Sequence, residues 1–502
     1  MKFTISTWAA VGASLILAAC GGSGGGSAAI QNPSTARGTL IQSPPVRTVS
    51  LTAADFTSEL VANGSSGQLL LSLATAGTGS STLACGVDVQ YIKYITVGGK
   101  GEATQASAAL MVPTGGSGCS GPRPIVLHAH GTAVERRFNM ADFIDVTNPA
   151  HSEQTLIASQ LAARGYIVVA PNYAGYDSSP LNYHPFLVAD QQSKDMMDAL
   201  AAARSALPAL IAPVSDNGKL FITGISEGGH VAMATFKAMR ALNMDVTAFA
   251  PLEPVTTPLG YGDFIMSGRV PVASTVLLPM LLNGYQKTYG TLYQTPADYY
   301  TSTYSAGIEA AFPGTYSFDT LLSSVVVPIA ALFSGGAATT PVEFAPIFDG
   351  GVGAGNLITD SARNAYLADI ANPTPAHPLR VALKANDMLS LTVDKPMMLC
   401  GGAQDPTVYF SVNAEASAIA LAGNPYVSIL DLEAIYPLTS GMSTVTKVSS
   451  PAIAALQAGF QQAKAGTQAA APTDPLAVVT KYHGTLAPTF CVAAASGYFA
   501  NF

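Results

Sequence analysis

Short apolar runs alternate with stretches of helical periodicity through the first half of the chain. Each run ends at glycine, proline or polar residues, as expected of a strand buried on both faces, and an amphipathic stretch follows it. The pattern predicts strands at 124–130, 166–171, 220–225 and 246–249, and helices at 153–164, 193–207 and 231–239. Strand and helix in this order indicate the α/β class, with a mostly parallel sheet covered on both faces.

The alternation is framed by two other patterns. β-rich runs at 87–97 and 106–112, joined by a glycine-rich turn, predict antiparallel strands that open the sheet. From 258 to 378, helical stretches rich in leucine, alanine and tyrosine replace the alternation, and no apolar run there approaches membrane-spanning length. Strands resume at 395–400 and 426–430. The interruption therefore predicts a helical insertion in an otherwise continuous α/β domain.

The strand at 220–225 runs directly into Gly-Ile-Ser-Glu-Gly at 224–228, and a helical stretch follows at once. A strand that turns this sharply into a helix at a serine is a nucleophile elbow. The tight turn strains the backbone at Ser226, and the glycines two residues away on either side remove side chains that would collide. Ser226 is therefore the candidate nucleophile. The same spacing at Gly21–Gly25 lies in low-complexity sequence without this context.

Two residues far along the chain complete a candidate serine, acid and histidine set. Asp405 follows a predicted strand in a Gly-Gly-x-x-Asp-Pro loop, with Asp431 and Glu433 as alternative acids after the next strand. His483 is the only histidine C-terminal to Asp405, and the order serine, aspartate, histidine is that of nucleophile-elbow enzymes. About fifty residues separate His483 from the last predicted strand, so an extra helix is expected there, at 452–463.

Three other histidines invite a functional interpretation that we do not favour. His128 and His130 alternate at the end of the strand at 124–130 and could be mistaken for metal ligands, and His230 follows the candidate nucleophile by four residues. We favour ordinary hydrogen-bonded core histidines at His128 and His130, and a buried position on the helix for His230. The acidic side chain of Glu227 is explained by the helix dipole, which favours negative charge at a helix N-terminus. Only the backbone N–H of Glu227 is therefore a candidate for the chemistry of the site.

Taken together, these motifs resemble an exported α/β-hydrolase of the esterase or lipase kind, and the insertion is similar to the helical cap of secretory lipases. The resemblance covers 87–502 and implies an α/β-hydrolase fold. It implies a catalytic domain at 51–257 and 379–502, with a helical cap inserted at 258–378. It is specific for the fold and the triad, and it does not specify the substrate.

The resemblance also implies a mechanism. Ser226 would attack an ester carbonyl while His483 takes the hydroxyl proton, and Asp405 would orient the histidine. Thr132, in the His-Gly-Thr loop after the strand at 124–130, and Glu227 would donate their backbone N–H groups to the oxyanion. Such chemistry needs no cofactor, and no Rossmann or P-loop glycine pattern stands in a suitable context.

The N-terminus predicts export. Lys2 precedes an apolar core at 8–19 that is too short to span a membrane, and Leu-Ala-Ala-Cys at 17–20 resembles the lipobox of bacterial lipoproteins. Cys20 would then be lipidated after removal of residues 1–19. Glycine, rather than aspartate, follows the cysteine, and this resembles lipoproteins that Gram-negative bacteria sort to the outer membrane. An ordinary signal peptide cut near Ala19 is the alternative. A Gly/Ser/Pro-rich tether is predicted at 20–50.

Cysteine count and charge limit the remaining possibilities. Four cysteines besides Cys20 in an exported chain predict disulfides, and three pairings are open. Within the assumed fold we favour Cys85–Cys119 and Cys400–Cys491, because each pair falls in one region. The spacing matches no zinc motif. A net charge of −8, with 11% charged residues and no basic stripe, argues against nucleic acid as a partner.

Two other functions remain open from the sequence. A peptidase or amidase could use the same residues, although the repeats of a β-propeller domain are absent. A non-catalytic surface lipoprotein could bind a ligand under the cap, although a complete Ser226, Asp405 and His483 set favours catalysis. The main prediction is an exported carboxylic-ester hydrolase acting on lipid, short-chain or polymeric esters.

Overall fold

The computed structural model describes residues 36–211, 214–323, 326–328, 332–334, 356–434 and 444–502, which surround a mixed sheet. The predicted signal sequence and Cys20 lie outside the described residues. No helix in the described part of the chain is long and apolar enough to cross a membrane. The strands are β1 (Val46–Leu51), β2 (Gly86–Val97), β3 (Ala103–Thr114), β4 (Gly121–Ala129), β5 (Ile167–Pro171), β6 (Val214–Ile225), β7 (Ala248–Leu252), β8 (Met397–Gly401), β9 (Val427–Asp431) and β10 (Thr446–Lys447).

The described helices alternate with the strands between β4 and β7, as expected from the sequence, and also lie outside that part of the chain. They are α1 (Ala53–Ala62), α2 (Gly64–Ala74), α3 (His151–Gln160), α4 (Ala189–Ala206), α5 (Glu227–Ala241), α6 (Pro258–Met266), α7 (Ser274–Tyr289), α8 (Phe318–Ser323), α9 (Asp360–Asp369), α10 (Pro378–Ala385), α11 (Ala414–Ala420), α12 (Pro451–Ala470), α13 (Ala477–Lys481) and α14 (Ala487–Phe499). They pack on the sheet in two groups, one containing α4 and α5 and the other α2, α3 and α14.

The strand order is β1-β2-β3-β5-β4-β6-β7-β8-β9-β10. The first three strands and the β3–β5 pair are antiparallel, and every pair from β5 onward is parallel. β5, β7 and β8 are buried at every position, which explains why they read as continuous apolar runs. The predicted mixed, doubly covered sheet is confirmed.

The first strand begins within the segment predicted as a flexible tether, 20–50, and corrects that prediction at its C-terminal end. β1 pairs antiparallel with β2 from Val46↔Tyr91 to Leu51↔Val87. Upstream of it, Arg37 contacts Asp198 at 2.9 Å. An edge strand needs only backbone partners on one side, so the polar composition of this segment hid it from the hydrophobic pattern.

A helical region between β7 and β8 builds a second apolar cluster beside the sheet. Arg380 of α10 is buried and pairs with both carboxylate oxygens of Asp263 in α6, at 2.9 and 3.0 Å. It also contacts the Asp369 carboxylate in α9 at 2.9 Å. The predicted cap ends at 378, where α10 begins. Through these contacts of Arg380, α10 packs with the helical region.

Two disulfides link segments that are distant in the sequence, in the pairing favoured above. Cys85–Cys119 closes a separation of 34 residues, and Cys400–Cys491 closes one of 91. The second bridge joins β8 to α14, and all four cysteines are buried. It therefore ties together the two chain segments that carry Asp405 and His483.

Candidate active site

The carboxyl ends of the central parallel strands meet beneath the helical region, and the candidate catalytic residues follow these ends. Ser226 comes directly after β6, and Asp405 lies in the loop after β8. β7 lies between these two strands, with Leu252 in register with both Ile225 and Cys400. The sheet therefore brings two residues that are far apart in sequence to one edge, as in other α/β sites.

The elbow has the strain predicted for it. Ser226 adopts φ 58° and ψ −114°, a region that non-glycine residues rarely occupy, and its N–H donates to Leu252 O at 2.8 Å. A Cβ on Gly224 would lie 2.2 Å from Gly228 O, and one on Gly228 would lie 2.0 Å from Ala129 O. Only glycine fits at these two positions, because backbone of the elbow and of β4 fills the space.

A continuous hydrogen-bond chain joins the three residues. His483 Nε2 lies 2.7 Å from Ser226 Oγ, and His483 Nδ1 lies 2.6 Å from Asp405 Oδ2. The His483 side chain is 11% exposed and the Asp405 side chain 2%, so the histidine is partly accessible while the carboxylate is buried. The geometry allows the Ser226 hydroxyl to donate to the imidazole and Nδ1–H to donate to the carboxylate.

Backbone donors hold the acid in place. Asp405 Oδ1 accepts the N–H of Thr407 at 2.8 Å and of Val408 at 3.0 Å, which leaves Oδ2 for His483. The alternative acids lie in other contacts. Asp431 Oδ1 accepts from the backbone N–H groups of Ala403 and Glu433, at 2.9 and 3.0 Å. Burial raises the pKa of Asp431 to about 6.

His483 lies in a π-helical turn, Tyr482–Leu486, that an inserted helix supports. Tyr482 Oη donates to Glu433 Oε1 at 2.6 Å, and Lys464 of α12 pairs with the same carboxylate at 2.6 Å. The Phe460 ring, also from α12, packs edge-on against Tyr482 at 5.6 Å. The helix expected between the last strands and His483 is present, and its contacts fix the residue preceding the histidine.

Thr132 and Glu227 line the same pocket as Ser226. Among the described residues, neither backbone N–H has a protein hydrogen-bond acceptor. The Glu153 carboxylate holds the preceding Gly131 N–H at 3.1 and 3.2 Å. The Glu227 side chain turns away into the core and accepts from His184 Nε2 at 2.6 Å. Both N–H groups are therefore available to a ligand atom near Ser226 Oγ.

The three histidines that the sequence analysis set aside are buried and hydrogen-bonded. His128 Nε2 lies 2.8 Å from Glu153 Oε1, and His130 is stacked between Phe138 and Tyr173 with centroids 4.2 and 4.1 Å away. His230 Nδ1 contacts Val255 O at 2.9 Å, and burial lowers the pKa of His230 to about 4. These contacts are those of core histidines.

A pocket leads from Ser226 into the helical region. The space between its walls is about 800 Å³, open solvent at the mouth included, and the lining is almost wholly apolar. Residues of α6, α7, α9 and α10 form most of the wall, so the helical region, rather than the sheet, shapes the pocket. The lining includes Thr132, Phe186, Leu187, Val255, Tyr261, Ile265, Met266, Leu277, Leu278, Leu281, Tyr366, Leu379, Leu383 and Val408.

Glu253 is a buried acid at this site that the sequence analysis missed. It follows β7 directly, and its Oε1 lies 3.7 Å from His483 Nδ1. Ligand atoms of Glu253, Asp405 and His483 lie within 4.8 Å of one another, a spacing that could also surround a metal ion. His483 Nδ1 is already hydrogen-bonded to Asp405, however. The signal in the sequence was an acid inside the apolar run Ala-Pro-Leu-Glu-Pro at 250–254.

This is the α/β-hydrolase fold, with the serine on the elbow after β6 and helices on both sides of the sheet. The structure is similar to a ligand-bound form of the rice cell wall degrading esterase LipA from Xanthomonas oryzae, with a TM-score of 0.64 and 24% identity over 90% of this chain and 100% of that chain. It is also similar to a protein from Legionella pneumophila, with a TM-score of 0.60 and 18% identity over 78% and 91% of the two chains. No family model and no curated protein matches the sequence.

The elbow glycines give a direct test of this geometry. Gly228→Ala should lower the free energy of unfolding by about 3 kcal/mol or more, because its Cβ would collide with backbone that cannot move aside. Gly466→Ala in α12 is the control: nothing lies within 4 Å of its Cβ. The control should gain up to about 1 kcal/mol from helix propensity. Equal urea midpoints for Gly228→Ala and the unmodified protein would contradict the structure of the elbow.

Proposed function

We propose that this protein is a serine carboxylic-ester hydrolase that works through Ser226, His483 and Asp405. The observation that carries the proposal is the hydrogen-bond chain from Ser226 Oγ to His483 Nε2 at 2.7 Å and from His483 Nδ1 to Asp405 Oδ2 at 2.6 Å, at the end of an apolar pocket. A serine in a plain structural turn has no need of a histidine and a buried carboxylate aligned in this order.

In the first half of the reaction, Ser226 Oγ attacks the ester carbonyl carbon while His483 Nε2 takes the hydroxyl proton. The negative charge that develops on the carbonyl oxygen is bound by the N–H groups of Thr132 and Glu227. Asp405 holds the imidazole in the tautomer with a proton on Nδ1 and stabilises the imidazolium. The imidazolium then gives its Nε2 proton to the departing alcohol, which leaves an acyl group on Ser226.

In the second half, water takes the place of the alcohol. His483 Nε2 removes a proton from that water, the resulting hydroxide attacks the acyl carbonyl, and the same two N–H groups bind the oxyanion. Collapse of the intermediate returns the proton to Ser226 and releases the carboxylic acid. Every proton moves between Ser226, His483, the alcohol and water, so the proposed reaction draws on no cofactor.

The pocket supports an ester with an apolar acyl or alcohol part. Leucine, methionine and tyrosine side chains of the helical region line it, and burying an apolar chain among them is favoured by about 0.8 kcal/mol per methylene. The helical region would then act as the cap predicted from the sequence and set the substrate range. The similar esterase LipA is described as degrading rice cell wall, and this likeness supports the ester class only.

Export and anchoring are part of the proposal. Two buried disulfides suit an oxidising compartment, and the Leu-Ala-Ala-Cys sequence at 17–20 suits lipidation at Cys20. The mature chain would then be held at the cell envelope, in the outer membrane if the source is Gram-negative, and reach ester substrates outside the cytoplasm.

Hydrolysis of p-nitrophenyl acetate, butyrate, octanoate and palmitate by the protein without its N-terminal segment tests the function. Ser226→Ala should lower kcat/KM by about 10⁴-fold or more, and Asp405→Asn by about 10²–10⁴-fold. KM should fall from acetate to octanoate, because each added methylene is buried in the pocket.

Asp431→Asn is the matched control for Asp405→Asn. The amide oxygen of the asparagine can accept the N–H groups of Ala403 and Glu433 that Asp431 accepts. The kcat/KM of this variant should therefore stay within about threefold of that of the unmodified protein. Absence of ester turnover, together with failure of a fluorophosphonate to label Ser226, would contradict the proposal and favour a binding protein. Labelling without ester turnover would favour an amidase or peptidase.

Replacement of Cys20 tests the anchor. In the full-length protein, Cys20→Ala removes the thiol that receives the lipid. Without lipid chains on that cysteine, the protein loses its stable hold on the membrane. The variant should lose incorporation of labelled palmitate and leave the membrane fraction for the soluble fraction. Unchanged fractionation and labelling would rule out lipidation at Cys20 and support an ordinary signal peptide.

A further inference from the structure

Glu253 occupies a constrained position between the nucleophile strand and the acid strand. It is the first residue after β7, and its N–H donates to Cys400 O of β8 at 2.7 Å. Its φ of 48° lies in the left-handed region, which is unfavourable for a residue with a long side chain. Such strain persists only where surrounding structure enforces it, and it is concentrated at functional sites.

The carboxyl group of Glu253 is fully buried and faces the acid and histidine of the site. Its side chain is 0% exposed, and Oε1 lies 3.7 Å from His483 Nδ1. Neither carboxyl oxygen receives an N–H or O–H from any described residue. The proton on His483 Nδ1 is directed at Asp405 Oδ2, which is closer, at 2.6 Å.

An ionised Glu253 would therefore be a second buried anion beside Asp405 with no donor of its own. The titratable groups that face it are Asp405 from the loop after β8 and His483 and Tyr482 from the π-helical turn. Burial, and then the charge of Asp405, hold the pKa of Glu253 well above its ordinary range. In the neutral form, the carboxyl group has an O–H, and the Asp405 carboxylate, with an oxygen within 4.8 Å, is the acceptor beside it.

We propose that Glu253 is a positioning residue, a neutral carboxylic acid whose O–H donates to the Asp405 carboxylate and holds it against His483. This inference rests on the proposed function for its catalytic consequence. The proton stays on Glu253 throughout the reaction. Asp405, and not Glu253, then carries the negative charge next to the imidazolium, and the added donor keeps Asp405 ionised as the pH falls.

Two substitutions distinguish a neutral hydrogen-bond donor at Glu253 from a negatively charged carboxylate there. Glu253→Gln keeps the size and places an amide N–H₂ where the O–H was, whereas Glu253→Leu removes the donor. Glu253→Leu should lower kcat by about tenfold to hundredfold with KM within about twofold, and move the acid limb of the kcat pH profile upward. Glu253→Gln should recover most of the lost kcat and return the acid limb to its original position.

Opposite results would overturn the inference. If Glu253→Gln loses as much kcat as Glu253→Leu and its acid limb moves downward, Glu253 acts as an anion. If Glu253→Leu changes neither kcat nor the acid limb, Glu253 positions nothing. Asp195→Asn is the control for lost stability: Asp195 is a buried carboxyl bonded to Tyr94 Oη and Ala174 N, so its loss should lower stability without moving the acid limb.

The protonation of Glu253 can be measured without any substrate. Infrared difference spectra of the unmodified protein against Glu253→Gln at neutral pH should show the C=O stretch of a protonated carboxyl group, absent from the variant. Carboxylate bands in its place would overturn the inference. If the unmodified protein hydrolyses no ester, the proposed function fails, and the infrared result still decides whether Glu253 is neutral.

Discussion

The hydrogen-bond ladder of the parallel sheet continues one residue past the ends of its central strands, and the site depends on this extension. Ser226 N–H donates to Leu252 O at 2.8 Å, and Glu253 N–H donates to Cys400 O at 2.7 Å. Each bond fixes the backbone of a residue in the left-handed region, at φ 58° and 48°. The buried strands thus enforce two strained conformations that place the nucleophile and a second acid beside the acid loop.

The elbow, the strand pattern and the candidate triad were predictable because their signals are local or fixed by order along the chain. Glycine is needed at 224 and 228 because the backbone is crowded there, and a Cβ at 228 would lie 2.0 Å from Ala129 O. His483 was the only histidine left after Asp405. The sequence could not reveal the π-helical turn that presents it, because that turn depends on the contact of Tyr482 with Glu433 and, through it, with α12.

Other features escaped because they exist only after folding. β1 begins in sequence that its Gly/Ser/Pro-rich composition assigned to a tether, and its partner is the backbone of β2. α10 follows the predicted cap boundary, yet Arg380 joins it to Asp263 across more than a hundred residues. The sequence analysis missed Glu253, because only the register of β7 between β6 and β8 places this residue beside the acid loop.

The most direct test of the account is a crystal structure of the protein after reaction with an alkyl phosphonate ester. We expect phosphorus bonded to Ser226 Oγ, one phosphoryl oxygen within hydrogen-bond distance of the N–H groups of Thr132 and Glu227, and the alkyl chain among the leucines of α7. His483 should remain bonded to Asp405. Phosphorus on another residue, or a phosphoryl oxygen directed away from both N–H groups, would contradict the assignment of this site.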